Sequence, residues 1–282
     1  MSATTDSRPL SVPRPERATP ADRPERAAAS TPRLPATVGR PLLAVFRREF
    51  ASYFATPLAA TFLVIFLFLT GAFTFQLGGL YERGQADLRP FFGYLPWLYL
   101  FLVPAIAMRL WAEERRIGTV ELLVTLPVRL SDLVLGKFLA AWAFACVALA
   151  LTFPLWMTVS YLGDPDHGVI LASYLGAALM AGSFLAVGSC LSALSKNQVV
   201  AFVVCVVVCL GLLLSGFPLV LGFLSGWAPE FVVDSVAGLS LLTHFEALQR
   251  GVVDLRDVLY FLAVMAGALF LNVLVLDWKK AD

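Results

Sequence analysis

From residue 199 to 224 the chain runs 26 positions without a single Asp, Glu, Lys, Arg or His. A helix rises 1.5 Å per residue, so a run of this length outspans the roughly 30 Å hydrocarbon core of a bilayer. Five more runs are of the same kind, at 57–77, 91–110, 134–162, 169–194 and 258–276. None alternates with period two as the strands of a membrane barrel do, and a lipid-exposed backbone must otherwise satisfy itself within a helix. The sequence therefore predicts an all-α membrane protein with six transmembrane helices. Composition agrees: 59% of the 282 residues are apolar and 15% charged, too few charges to make the polar skin of a soluble globule.

The net charge of +1 hides an uneven distribution that orients the spans. With the N-terminus inside, 17 of the 21 Lys and Arg residues fall on the cytoplasmic side, leaving Arg83, Arg89, Arg250 and Arg256 outside. This bias places both termini in the cytoplasm, as for a multi-pass protein of the bacterial inner membrane. Nucleic acid is not implied, because the basic residues are confined to an N-terminal tail and short loops. That tail, residues 1–40, holds seven of the 17 prolines and seven arginines and is expected to be disordered. It has no apolar core of its own and is not expected to act as a secretory signal.

Between the tail and the first span, Leu42, Phe46, Phe50 and Tyr53 recur at spacings of four, four and three, with Arg47 and Arg48 on the other side. This is the pattern of an amphipathic helix lying in the headgroup layer. Within the spans, Pro104, Pro154 and Pro218 should kink or interrupt their helices. The fourth span carries Gly176, Ala178, Gly182, Ala186, Gly188, Ser189 and Ala193, a small-residue pattern that calls for close helix contact, within the chain or across a dimer seam.

Almost no ionisable side chain lies deep in the spans, so the charged midplane groups of proton-coupled pumps and intramembrane hydrolases are not visible. Cys146, Cys190, Cys205 and Cys209 read as small hydrophobes, although Cys205 and Cys209 share a helix face. The run Asp164-Pro165-Asp166-His167 has metal-binding residue types but reads better as a tight turn. No catalytic, metal or cofactor residues are assigned.

The informative polar segment, 109–128, reads RLWAEERRIGTVELLVTLPV. A charged cluster, Glu113, Glu114, Arg115 and Arg116, is followed by Gly118 as a break. Thr119 is placed to cap a short helix that Pro127 stops, and Glu121, Leu122, Leu123 and Leu126 lie within it. An isolated amphipathic helix must bury its apolar side on a bilayer or on a partner.

The run E-E-R-R-x-G-T-x-E-L-L-x-T-L-P resembles the cytoplasmic loop of ABC-2 type permeases, the membrane subunits of ATP-binding-cassette transporters. The stretch from His244-Phe245-Glu246 through Arg250, Gly251, Asp254 and Asp257 to Phe261 is similar to the segment before the last span in permeases of the gliding-motility type, with nitrous-oxide-reductase maturation permeases more distant. The resemblance covers residues 41–280, which implies one ABC-2 type transmembrane domain over 41–282. It further implies a coupling helix at 119–126 that touches a cytoplasmic P-loop ATPase, present in two copies, and a second permease copy or a related permease. An extracytoplasmic partner and membrane lipid complete the expected contacts.

The chain carries no G-x-x-x-x-G-K-[ST]: Gly136-Lys137 is followed by Phe138 and has Ser131 where the first Gly belongs. ATP and Mg are therefore expected on the partner, and the chain is expected not to be an enzyme. In the resembled family a segment like the one after residue 225 forms short helices that dip into the outer leaflet. This suggests an outer gate at His244, Phe245, Glu246, Arg250, Gly251 and Asp254; a passive cap fits equally well. Two other readings share the bundle: a membrane anchor of a motility or envelope complex, in which the same ATPase coupling would move a partner without solute flux, and a secondary transporter, for which the midplane polar groups are not visible.

Overall fold

The computed structural model describes residues 40–80, 82, 84, 87–118, 129–226 and 228–279. The N-terminal tail and the loop helix expected at 119–126 lie outside these residues. All regular structure in the described part is helical.

Helix α1 (Arg40–Ala55) is followed, after Thr56, by α2 (Pro57–Ala72), which widens into a π-type turn, Phe73–Leu77. Helix α3 (Arg89–Ala107) leads through a turn into the short α4 (Ala112–Ile117). Helices α5 (Leu130–Ala150) and α6 (Phe153–Leu162) are separated by two residues. The long α7 (His167–Leu194) precedes α8 (Gln198–Leu214) and the short α9 (Pro218–Ser225). Helices α10 (Glu230–Gly238) and α11 (Leu241–Gln249) lead to α12 (Leu255–Trp278).

Five stretches are long and apolar enough to cross a membrane: Ala59–Leu77, Arg89–Ile117, Leu130–Leu162, His167–Leu194 and Leu255–Trp278. The expected fifth span, 199–224, is not one straight helix, because α8 and α9 meet at 77°. A second bent pair, α10 and α11 at 58°, occupies the segment expected to stay outside. Counting each bent pair as a span raises the number to seven, so the count is five to seven where sequence predicts six.

The prolines explain where the breaks fall. Pro154 and Pro218 stand in the first turns of α6 and α9 rather than in kinked helix interiors. There the missing N–H has no helical partner to lose. Helix α3, by contrast, continues through Pro96 and Pro104 and stops at Ala107. Side-chain caps start the later helices: Asp166 accepts from the Gly168 and Val169 amides, Asn197 from Val199, Ser240 from Thr243 and Asp254 from Arg256. Asp166 and His167 thus begin a helix, with Trp156 Nε1 donating to His167 Nδ1 at 3.1 Å.

Helix α7 is the centre of the bundle and the most buried of the five stretches. Its small residues answer the question left open by sequence, since they meet neighbours of the same chain. A Cβ on Gly188 would come within 2.5 Å of the Ala107 Cβ on α3; one on Gly182 would strike Met265 of α12 and Trp142 of α5; one on Gly176 would meet Leu248 and Phe245 of α11. Apolar side chains on the outer faces, such as Val64 and Phe68 of α2, Val203 and Val207 of α8, and Phe270 of α12, are exposed. They form the surface such a bundle turns towards lipid.

Candidate functional site

Helix α3 itself, 19 residues at 1.5 Å each, is about as long as a hydrocarbon core is thick, and the charged residues from Arg109 onward follow it after a turn. There the chain meets α1 and the start of α5. Gly136 of α5 lets α1 approach closely: a Cβ at this position would lie 2.7 Å from Val45 Cγ1. The approach brings Glu49 of α1 against Lys137 of α5.

Lys137 is the hub. Its side chain is 3% exposed, and its Nζ donates to Glu114 Oε1 at 2.7 Å and lies 3.3 Å from Glu49 Oε1. The ammonium also sits 5.4 Å from the centroid of the Trp111 ring. A buried ammonium is tolerated only when paired, and here one cation ties three elements together: α1, α4 and α5. Arg109 Nε donates to Glu113 Oε2 at 2.9 Å beside it.

The two carboxylates on Lys137 titrate in opposite directions. Burial alone would raise Glu49, but Lys137 and Arg48 outweigh it and hold the carboxyl below its usual range. At Glu114 burial prevails over the attraction of Lys137, and the nearby Glu49 adds to it, so this carboxyl is pushed up.

A second, uncharged clamp holds the same loop root against the bundle. Ser192 Oγ of α7 accepts from the Trp111 and Ala112 amides at 3.2 and 3.0 Å and donates to Met108 O at 2.8 Å. One turn away, Ser189 Oγ accepts from Trp111 Nε1 at 3.0 Å and from Asn272 Nδ2 of α12 at 2.7 Å. The amides freed between α3 and α4 are thus paired with side chains of α7. Arg115 adds a hydrogen bond from Nη1 to Ala193 O at the end of α7.

Of the residues marked by sequence at this end, Leu42, Phe46, Phe50 and Tyr53 are half-buried on one side of α1, with Arg47 and Arg48 exposed. Glu113, Glu114 and Arg115 turn to partners in their own chain, while Arg116 is exposed. Gly118, at φ +80°, ends α4 in the left-handed region that favours glycine. Thr119, Glu121, Leu122, Leu123, Leu126 and Pro127 fall outside the described residues.

Sequence reasoning passes over Glu49, Ser192 and Asn272, reads Ser189 only as a small residue of the fourth span, and uses Lys137 only for orientation and in the search for a P-loop. The signal was present in part. Glu49 shares the apolar side of α1 with Phe46 and Tyr53, three behind and four ahead, and a carboxylate on a buried face needs a partner.

At the opposite end, the residues expected to form a gate belong to one packed unit. His244 Nδ1 lies 2.6 Å from Asp257 Oδ1 at the start of α12, and its ring stacks on Tyr260 at 3.9 Å. Tyr260 Oη donates to Leu239 O at 2.5 Å. Phe245 is fully buried, Gln249 Nε2 donates to Phe92 O at 2.9 Å, and Gly251 fits against Val169. Glu246 and Arg250 face each other at 4.0 Å on the exposed side, and Asp254 caps α12.

Among the described residues no three His, Cys, Asp or Glu side chains converge as a metal site. Cys205 and Cys209 are buried free thiols with their sulfurs 3.9 Å apart. What the arrangement at the basic end does provide is a mechanical joint: a rigid ionic and hydrogen-bonded attachment of a loop root to three helices.

No curated protein matches the chain. The family model described as "ABC-2 family transporter protein" matches residues 50–233, which include Glu49's neighbour Phe50, the whole loop root and Lys137. The chain therefore belongs to the ABC-2 family of transporter proteins, as a multi-pass membrane permease.

Proposed function

We propose that this chain is the transmembrane half of an ATP-binding-cassette exporter in the bacterial inner membrane, with both termini in the cytoplasm. Permeases of the family generally work with an ATPase subunit. In this reading two P-loop ATPase copies bind and hydrolyse ATP, a second permease copy or a related one completes the pore, and the chain itself performs no covalent chemistry. The resemblance around 244–261 favours the gliding-motility type, with an extracytoplasmic partner. Domain limits follow: a tail to residue 40 and one transmembrane domain over 41–282.

The observation that carries the reading is the joint at Lys137. In this reading ATPase closure displaces the loop at 119–126, which follows α4 and its terminal Gly118 in the chain. The root of α4 is bound by Glu114 to Lys137 and by Ser192 to α7, so a push on the loop moves α1, α5 and α7 together. Energy is thereby delivered to the central helix rather than dissipated in a loose connection. Packed bundles respond to such a push by switching between discrete arrangements.

The test is capture of the full chain from its native membrane in mild detergent. A P-loop ATPase at a one-to-one ratio, whose hydrolysis the permease stimulates, is the expected result. Isolation of a folded permease without any P-loop protein, in several detergents, contradicts it.

A further inference from the structure

Two clefts at the basic end of the bundle adjoin and share Tyr53 and Arg109 as walls. The first, about 220 Å³, is polar; Glu49, Glu113, Glu114 and Lys137 complete its charged lining. The second, about 160 Å³, is apolar, formed between α2, α3 and α5 by side chains such as Phe62, Ile65, Leu102, Ile106 and Phe144. Ile65 is exposed, so the apolar cleft opens sideways where the bundle faces lipid. A charged pocket continuing into a hydrocarbon-lined slot at headgroup depth has the shape of a single lipid.

We infer that the paired clefts bind one phospholipid of the adjacent leaflet, and that its headgroup is phosphoethanolamine. Arg109 spends Nε on Glu113, and its terminal Nη groups have no other side-chain partner among the described residues, leaving the planar fork for a phosphate. Among the described residues the pocket walls hold three carboxylates and two cations, and Arg48, 2.5 Å from Glu49, balances the count. A zwitterionic headgroup matches such a balanced pocket, whereas phosphate alone would use its cations and leave the Glu113 carboxylate without a new donor. A primary ammonium donates to Glu113 and its neighbours, whereas a trimethylammonium has no N–H to give and would need an aromatic cage, and among the described residues that line the pocket Tyr53 alone is aromatic. An acyl chain fills the slot beside Phe144, on which Tyr53 stacks at 5.0 Å.

This site does not rest on the ATPase reading, since it is measured on the permease alone and survives if no ATPase is captured. The experiment is native mass spectrometry of the full chain, stripped of lipid and resupplied with equal amounts of dioleoyl phosphatidylethanolamine, phosphatidylcholine and phosphatidylglycerol. The ethanolamine lipid is expected to be retained about tenfold over the other two, the discrimination that one charge-assisted hydrogen bond supplies. Arg109→Ala should cut its retention by a similar factor, and Ala105→Trp, which fills the apolar slot, should abolish it. Should Arg109→Ala fail to survive extraction, Glu113→Gln decides: it keeps the side-chain shape and should shift preference from the ethanolamine to the glycerol lipid. Equal retention of the three headgroups by the wild type, which marks ordinary boundary lipid, or any ranking that does not put ethanolamine first, overturns the assignment. So does a wild-type preference that persists through both Ala105→Trp and Glu113→Gln.

Discussion

Lys137 Nζ lies 2.7 Å from Glu114 Oε1, although 22 residues separate them in sequence and the lysine side chain is 3% exposed. Glu114 belongs to the root of the loop expected to receive the ATPase, and Lys137 to a helix whose later turns enter the bundle core. Their bond, completed by Glu49, distinguishes two contributions that are usually confounded. Removing Lys137 alone as Lys137→Met leaves two half-buried carboxylates without their shared cation and should cost about 1–3 kcal/mol of stability. The triple replacement Lys137→Met, Glu49→Gln, Glu114→Gln removes the three charges of this cluster and should recover most of that loss. Coupling should be lost in both, so thermal unfolding separates the variants while stimulation of ATP hydrolysis does not.

Acidification should act on this site in two stages of opposite sign. Glu114 has its carboxyl pushed up by burial, so its contribution to stability is fully present below the ordinary carboxylate value and is lost as pH rises through the raised one. Lowering pH from neutral therefore relieves a cost at Glu114. Glu49 is held low, so its contribution is present above the ordinary value near 4.5 and disappears as pH falls through the depressed one. In unfolding curves across pH, Glu114→Gln should flatten the upper part of the profile and Glu49→Gln the lower part.

Ser192 pairs with two backbone amides and one carbonyl where α3 gives way to α4. Ser192→Ala leaves the Trp111 and Ala112 amides without partners and should destabilise by about 2 kcal/mol, while Ser192→Thr, which keeps the hydroxyl, should lose less. Trp111 is itself held by Ser189, and amide exchange at Trp111 and Ala112 reports loosening of the loop root. Unchanged exchange at these two amides in Ser192→Ala contradicts the clamp.

Close approach of α3 and α7 depends on Gly188. Gly188→Val drives a side chain into Ala107 and should cost about 1–3 kcal/mol, as overpacking does. Ala107→Gly in the same chain should return part of it. A neutral Gly188→Val would mean that the two helices are free to separate.

At the far end, the His244–Asp257 bond and the Tyr260 contacts fasten α10 and α11 to α12. His244→Phe keeps the ring stack but not the polar bonds. It should speed amide exchange over Leu241–Gln249 about tenfold through local opening, without changing exchange in α7. Exchange that stays slow in this variant means that packing of Phe245 and Leu248 alone holds the segment.

Much of this architecture is legible in the chain because lipid imposes simple rules. The limits 57–77 and 169–194 fall within two residues of the observed helical stretches, and the four-four-three spacing of Leu42, Phe46, Phe50 and Tyr53 locates the half-buried side of α1. What eludes the sequence depends on partners distant in the chain. Pro218 marks a break, but not that α9 leaves α8 at 77°, because proline fixes one torsion and packing sets the rest. The small-residue face of α7 announces close contact without naming α3, α5, α11 and α12. Glu113, Glu114 and Arg115 read as one charged cluster, yet Glu114 turns to Lys137 and Arg115 to Ala193 O while Glu113 pairs with Arg109 one turn back, since helical phase in a six-residue element after an irregular turn cannot be projected from the span before it. The pairing of Glu49 with Lys137 spans 88 residues and depends on Gly136 letting two helices touch.

The central claim is that work enters through the segment that continues from Glu114 beyond Gly118. The most direct measurement is photo-crosslinking from a benzophenone amino acid placed at Leu123 in the full chain within its native membrane. The account predicts a covalent adduct with a P-loop ATPase, abolished by Glu121→Ala with Leu122→Ala while the permease stays folded. Crosslinks confined to lipid, or to other helices of this same chain, would contradict it.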